Sequence, residues 1–146
     1  VTGDNVVIED IELVGSYNDG LLHNNIHIDT CDDVTIRNCR VQSASGNNIV
    51  LDNTKRWKVV NNLVLNAGAN NIHIYEDGDG ISERNVVCNN IIYTSGNKDI
   101  LEQGSDASNN PNYNIITSNI ADTNGDILIT GTNSITGHNV AYWEGV

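Results

Sequence analysis

Histidine, aspartate and tyrosine recur at matched places in three short segments: Asn24-Asn25-Ile26-His27-Ile28-Asp29, Asn47-Asn48-Ile49-Val50-Leu51-Asp52 and Asn70-Asn71-Ile72-His73-Ile74-Tyr75. In an extended strand neighbouring side chains point to opposite faces, so Ile26 and Ile28 turn one way and His27 and Asp29 the other. Side by side, such strands would gather His27, Asp29, Asp52 and His73 as candidate catalytic groups on one outward face. Tyr75, Asp52 and His73 are the candidate ligand contacts there. Asp29 and Asp52, one strand apart, would each raise the pKa of the other or grip a cation together. That is the material of an acid/base or cation site, with Tyr75 as an aromatic platform for a saccharide. A solvated acidic face without chemistry is the plainer account of the same residues.

Two long connections border this face, Tyr75 to Arg84 and Glu102 to Tyr113. The first holds Glu76, Asp77, Asp79 and Glu83, the second Asp106. Asp77 and Asp79, between Gly78 and Gly80, are candidate metal ligands, and calcium is the ion such oxygens would take, although the rest of an EF-hand loop is missing. No cofactor is otherwise required. Lys55, Arg56 and Lys58 form the basic cluster and are expected to pair with Asp32, Asp33 or Asp52. Glu102 falls in register with Ile74 and Ile129, so it must turn outward or find a buried partner.

The elements that position these residues are set by repetition. Ile26, Ile49, Ile72, Ile100 and Ile127 follow one another at spacings of 23, 23, 28 and 27 residues, a repeat of unequal length suited to stacked coils whose loops vary. A second motif lies between copies of the first: Ile36 to Val41, Val59 to Val64, Val87 to Ile92 and Ile116 to Ala121. Each coil therefore carries at least two strands. The inward columns are expected to contain the five isoleucines on one face and Ile36, Val59, Val87 and Ile116 on another. The outward column of the first strand should be His27, Val50, His73, Leu101 and Leu128.

Cys39, Asn62, Asn90, Asn119 and Asn139 align as an asparagine ladder, each side-chain amide bonding to the next. Gly20, Gly46, Gly68, Gly96 and Gly125 recur at one bend, where a positive φ is expected. Cys31 and Cys39 read as small inward residues, and Cys88 as the more exposed thiol.

The composition agrees with strands and turns. The chain has 146 residues, no Phe, no Met and one proline, Pro111, so its core rests on Ile, Val and Leu. A formal charge of −12 argues against nucleic acid and anionic membranes as partners, because Lys and Arg are too few to offset phosphate repulsion. No apolar run is long enough to cross a bilayer, and no Asn-x-Ser/Thr sequon occurs. Three cysteines, unlike a zinc site in spacing, leave at least one thiol free or paired between chains. Without an initiator Met, the chain reads as a processed product or an excised piece.

Together these motifs resemble the right-handed parallel β-helix superfamily, the pectate-lyase-like and polygalacturonase-like proteins. The resemblance implies an all-β, single-stranded right-handed parallel β-helix of about six coils over residues 1–146, a single domain of a longer protein or an assembling subunit. The segments at His23–Asp29 and Gly46–Ile49 lie closest to polygalacturonase signatures, but Asn24, Asn47 and Asn48 stand where that family carries Asp, and its later Gly-His-Gly is absent. An amide does not exchange a catalytic proton as a carboxyl does. The expected function is therefore a non-catalytic extracellular or particle-borne β-solenoid, structural or contacting polysaccharide. The alternative is a fragment of a polysaccharide lyase, glycoside hydrolase or epimerase, in which Lys55, Arg56 or Lys58 would supply the base of an elimination. Bare end coils would favour a homo-oligomer or filament, with Trp143 a partial lid.

Overall fold

The structure, a computed structural model, describes residues 4–15, 21–78, 81–105, 110–121 and 127–141. Strands follow one another in triplets, each member joining a different sheet. The first triplets are β1 (Val7–Glu9), β2 (Glu12–Val14) and β3 (Ile26–Asp29), then β4 (Thr35–Arg37), β5 (Arg40–Gln42) and β6 (Ile49–Asp52). Next come β7 (Lys58–Val60), β8 (Leu63–Ala67) and β9 (Ile72–Glu76), and β10 (Val86–Cys88), β11 (Ile91–Ser95) and β12 (Ile100–Gly104). The last are β13 (Ile115–Thr117), β14 (Ile120–Ala121) and β15 (Ile127–Ile129), followed by β16 (Ile135–Gly137) and β17 (Val140–Ala141).

All pairing is parallel, in three sheets ordered β1-β4-β7-β10-β13-β16, β2-β5-β8-β11-β14-β17 and β3-β6-β9-β12-β15. The chain is a parallel β-solenoid. Among the described residues there is no helix, and so none long and apolar enough to cross a membrane.

The repeat spacing translates directly into register. Ile26 pairs with Ile49, Ile49 with Ile72, Ile72 with Ile100 and Ile100 with Ile127. Ile36, Val59, Val87 and Ile116 align in the first sheet and are fully buried. Burying each such side chain contributes roughly 1.5–3 kcal/mol. Each coil thus has three strands, because the second motif is divided by one residue in the left-handed region. Asp10, Asn38, Asn61, Asn89, Ser118 and His138 occupy that position, with φ between 53° and 57°. Asn and Asp tolerate this conformation better than most residues.

The asparagine ladder is present. Asn62 Nδ2 donates to Asn90 Oδ1, Asn90 Nδ2 to Asn119 Oδ1 and Asn119 Nδ2 to Asn139 Oδ1, each at 3.0 Å. The Cys39 N–H donates to Asn62 Oδ1 at 2.9 Å. Two further ladders flank the third sheet. Asn25, Asn48 and Asn71 donate in turn toward Asp99 at 2.8, 2.8 and 3.0 Å, while Asn97, Asn70 and Asn47 donate in the opposite sense toward Asn24 at 2.9, 2.8 and 3.2 Å.

The glycine expectation is corrected. Gly46, Gly68 and Gly96 do not have positive φ; among the described glycines only Gly78 does, at 103°. They are small because coils meet there: a Cβ on Gly68 would strike the Ser45 carbonyl oxygen, and one on Gly96 the Gly68 carbonyl oxygen. Gly20 and Gly125 lie outside the described residues.

Glu102 is fully buried inside β12, between Ile74 and Ile129, so the second long connection starts after Gly104. Its Oε1 accepts Asn114 Nδ2 and Ser134 Oγ, both at 2.7 Å, and its Oε2 accepts the Gly131 N–H at 3.1 Å. Cys31 and Cys39 are buried and Cys88 is half-buried, and none of the three is in a disulfide.

Candidate functional site

The outward face of the third sheet carries the candidate residues because its strands are in register. Asp29 pairs with Asp52 and Asp52 with Tyr75, while His27 pairs with Val50 and Val50 with His73. The face is less open than alternation implies. Val50 and Leu101 are each only 5 % exposed and His73 is half-buried, whereas His27 and Leu128 are exposed. The column from His27 to Leu128 is therefore a largely closed apolar seam with an open imidazole at one end, a correction to the wholly outward stack.

Asp52 is the centre of the charged part. His27 Nε2 stands 3.6 Å from Asp52 Oδ2, and Asp52 Oδ1 is enclosed with no hydrogen-bond partner. Burial raises the Asp52 pKa, and the nearby charges of Asp77 and Asp29 raise it further, against a smaller opposing effect from His27. Asp77 is held from the next coil, its Oδ1 accepting Asn53 Nδ2 at 2.7 Å. Two further carboxylates therefore bear on Asp52 here, and one of them, Asp77, is tied to Asn53.

His73 differs from His27 in kind. Burial lowers its pKa to about 4, so at neutral pH it is an uncharged ring; its Nε2 is enclosed without a hydrogen-bond partner. It packs against Tyr75 with ring centroids 5.2 Å apart and planes tilted by 42°. His73 thus serves this face as packing for Tyr75.

The basic cluster lies elsewhere. Arg56 binds Asp33 at 2.7 Å and Asp32 at 3.2 Å, and its hydrogen bond holds the Asp33 carboxyl below the usual range. Lys55 Nζ is 3.9 Å from Glu83. The pairing with Asp32 and Asp33 agrees with expectation, while Asp52 takes His27 instead. Trp57 is fully buried, its indole N–H donating to the Cys31 carbonyl at 2.8 Å, so the cluster is anchored at a corner of the shaft.

Among the described residues no group of three or more His, Cys, Asp or Glu is arranged to hold a metal ion. Asp77 is part of the carboxylate cluster; Asp79 and Asp106 lie outside the described residues. Asn53 is the site residue that sequence reasoning missed. Its only signal was its place directly after Asp52, at the end of the repeated strand. Comparison with known protein families, with characterised proteins and with solved structures found no match for this chain.

Proposed function

We propose that this protein is a non-catalytic β-solenoid module, extracellular or particle-borne, that serves as a stiff shaft and contacts glycans through the Asp29–Asp52–Tyr75 face. We take the shaft as right-handed, the general sense of parallel crossovers. One observation carries the reading: Asn24, Asn47 and Asn48 are all engaged in hydrogen bonds between coils. These are the positions where the resembling hydrolases need ionisable carboxyls, and here they are amides used as coil-to-coil fastenings. The pairing of Asp52 with exposed His27, beside Tyr75, supports contact with a hydroxyl-rich ligand.

The raised pKa of Asp52, with Asp29 one strand away, favours a second reading. A carboxyl of raised pKa beside a second carboxyl is the kind of pairing glycosidases use, and a polysaccharide-degrading fragment would use it. Incubating the chain with neutral and acidic polysaccharides, and following both co-sedimentation and chain shortening, separates the two. Binding without shortening is expected. Shortening abolished by Asp52→Asn would replace the module reading with the enzyme reading; neither binding nor shortening would remove both.

Self-association belongs to the same proposal. Among the described residues β1, β2 and β3 pair on one side only, as do β15, β16 and β17, and paired edges are the norm for parallel strands. A weight-average mass that grows with concentration in sedimentation is the expected result; a constant monomer mass would remove this part.

A further inference from the structure

We propose that the buried group Glu102, Asn114 and Ser134 is a self-modification site, at which Ser134 Oγ displaces the side-chain amide of Asn114 and leaves an ester cross-link between two successive coils. The site shares no residue with the outward face described above. Its first support is the placement of the reactants. Asn114 directly precedes β13 and Ser134 directly precedes β16. They belong to a column running Trp57, Asn85, Asn114, Ser134, in which each backbone N–H donates to the side chain of the next. The last step of that column puts Ser134 Oγ 3.2 Å from the Asn114 backbone nitrogen. Glu102 Oε1 accepts from Ser134 Oγ and from Asn114 Nδ2, each at 2.7 Å. One carboxyl oxygen therefore holds the nucleophile and the leaving group, and Asn114 Cγ is bonded to the latter. Asn114 Oδ1 accepts the Asn85 N–H at 2.8 Å, a fixed donor where negative charge would develop.

The second support is that packing does not account for Glu102. It lies in register between Ile74 and Ile129, and position 131 must lack a Cβ to make room for its carboxyl. An apolar side chain in such a place is often as stable as a buried ionisable one, or more so. Asn85 supplies the contrast one rung earlier. Its Nδ2 donates to the Thr54 carbonyl at 3.0 Å, which is no base, and the next side chain in its column is an amide rather than a hydroxyl. Base and nucleophile come together at Asn114 and not at Asn85.

Glu102 Oε1 takes the hydroxyl proton as Ser134 Oγ forms its bond to Asn114 Cγ, and the carbonyl electron pair moves onto Oδ1 against the Asn85 N–H. The pair then returns and the Cγ–Nδ2 bond breaks. Nδ2 takes the proton back from Glu102 and leaves as ammonia. A hydroxyl and an amide become an ester and ammonia; Glu102 is regenerated, and no oxidant, metal or water is consumed. Asn85, Glu102 and Asn114 are fully buried and Ser134 is half-buried, which shields the ester from hydrolysis.

Mass spectrometry of the full chain, denatured after incubation in the folded state at neutral pH, tests this. The parent is expected to become lighter by one ammonia, and a protease digest to yield a joined peptide containing Asn114 and Ser134 that hydroxylamine separates. Ser134→Thr, which keeps a hydroxyl, should give the same product; Ser134→Ala and Glu102→Gln should keep the full sequence mass. A folded parent that keeps its full mass overturns the proposal. So does an ammonia loss that persists in Ser134→Ala, since it arises at another asparagine. Ester formation in Glu102→Gln at the parental rate overturns the role of Glu102 as base. Should Glu102→Gln not fold, Ser134→Thr against Ser134→Ala still decides whether the bond forms.

Discussion

Gly131 has no side chain where Glu102 needs the room: a Cβ on Gly131 would fall on the Glu102 carboxyl, whose Oε2 accepts the Gly131 N–H at 3.1 Å. The pair joins the last described coil to the one before it through a fully buried carboxyl in an otherwise apolar column. Gly131→Ala should cost about 1–3 kcal/mol, the usual range for overpacking. Glu102→Ala should cost about 3 kcal/mol or more, because it strands the Asn114, Ser134 and Gly131 donors. Urea denaturation checks both; parental midpoints would contradict this account of the buried carboxyl.

Asn90 sits in the middle of its ladder, accepting from both the N–H and the side-chain amide of Asn62 and donating to Val59 and Asn119. Asn90→Ala should destabilise by about 2–3 kcal/mol, since several buried groups lose partners together. Asn139→Ala, at the last described rung, should cost about 1 kcal/mol. Comparable losses at both places in thermal melts would mean that the ladder does not set stability along the shaft.

His73 gives stability a pH dependence of known sign. Its pKa is about 4 in the fold against an ordinary 6.5, so the unfolded chain takes up this proton first as pH falls. The contribution is whole above pH 6.5 and is lost on acidification toward pH 4, on the order of 3 kcal/mol over that window. His73→Phe keeps a ring against Tyr75 and removes the titration. Its stability should therefore fall less between those limits than the parent's; parallel curves would place the acid sensitivity elsewhere.

Asp52 works in the opposite direction. Its folded pKa is raised, first by burial and then by Asp77 and Asp29, so its contribution is complete below the ordinary carboxyl pKa and is lost as pH rises through the folded value. At neutral pH Asp52→Asn should therefore melt slightly higher than the parent. A clear loss of stability would show that the His27 contact, 3.6 Å away, outweighs the enclosed and unpartnered Oδ1.

Much of the shaft was legible because its information is periodic. Ile26, Ile49, Ile72, Ile100 and Ile127 must share one column if strands alternate and coils repeat, and their pairing follows those spacings. The ladder from Cys39 to Asn139 was legible for the same reason. The amide pairs at Asn24-Asn25, Asn47-Asn48 and Asn70-Asn71 were visible as repeats, yet their division into two ladders of opposite sense depends on which way each amide turns.

Within one strand or one repeat the linear pattern suffices: the two inward columns of isoleucine and valine, the asparagine column and the nearness of Asp29 to Asp52; the third sheet emerged only in the fold. What depends on neighbours brought from other coils is visible only in the folded chain. Alternation makes Val50, His73 and Leu101 outward, but it does not say whether outward means exposed, and Val50 and Leu101 are buried. Gly68 reads as a turn former until the Ser45 carbonyl is seen to occupy its missing side chain's place. Glu102 lacks a partner within its own strand; Asn114, Ser134 and Gly131 reach it from 12, 32 and 29 residues away. Burial, close approach and charge compensation are sums over everything within a few ångströms, and a linear pattern specifies only the part of that sum which repeats.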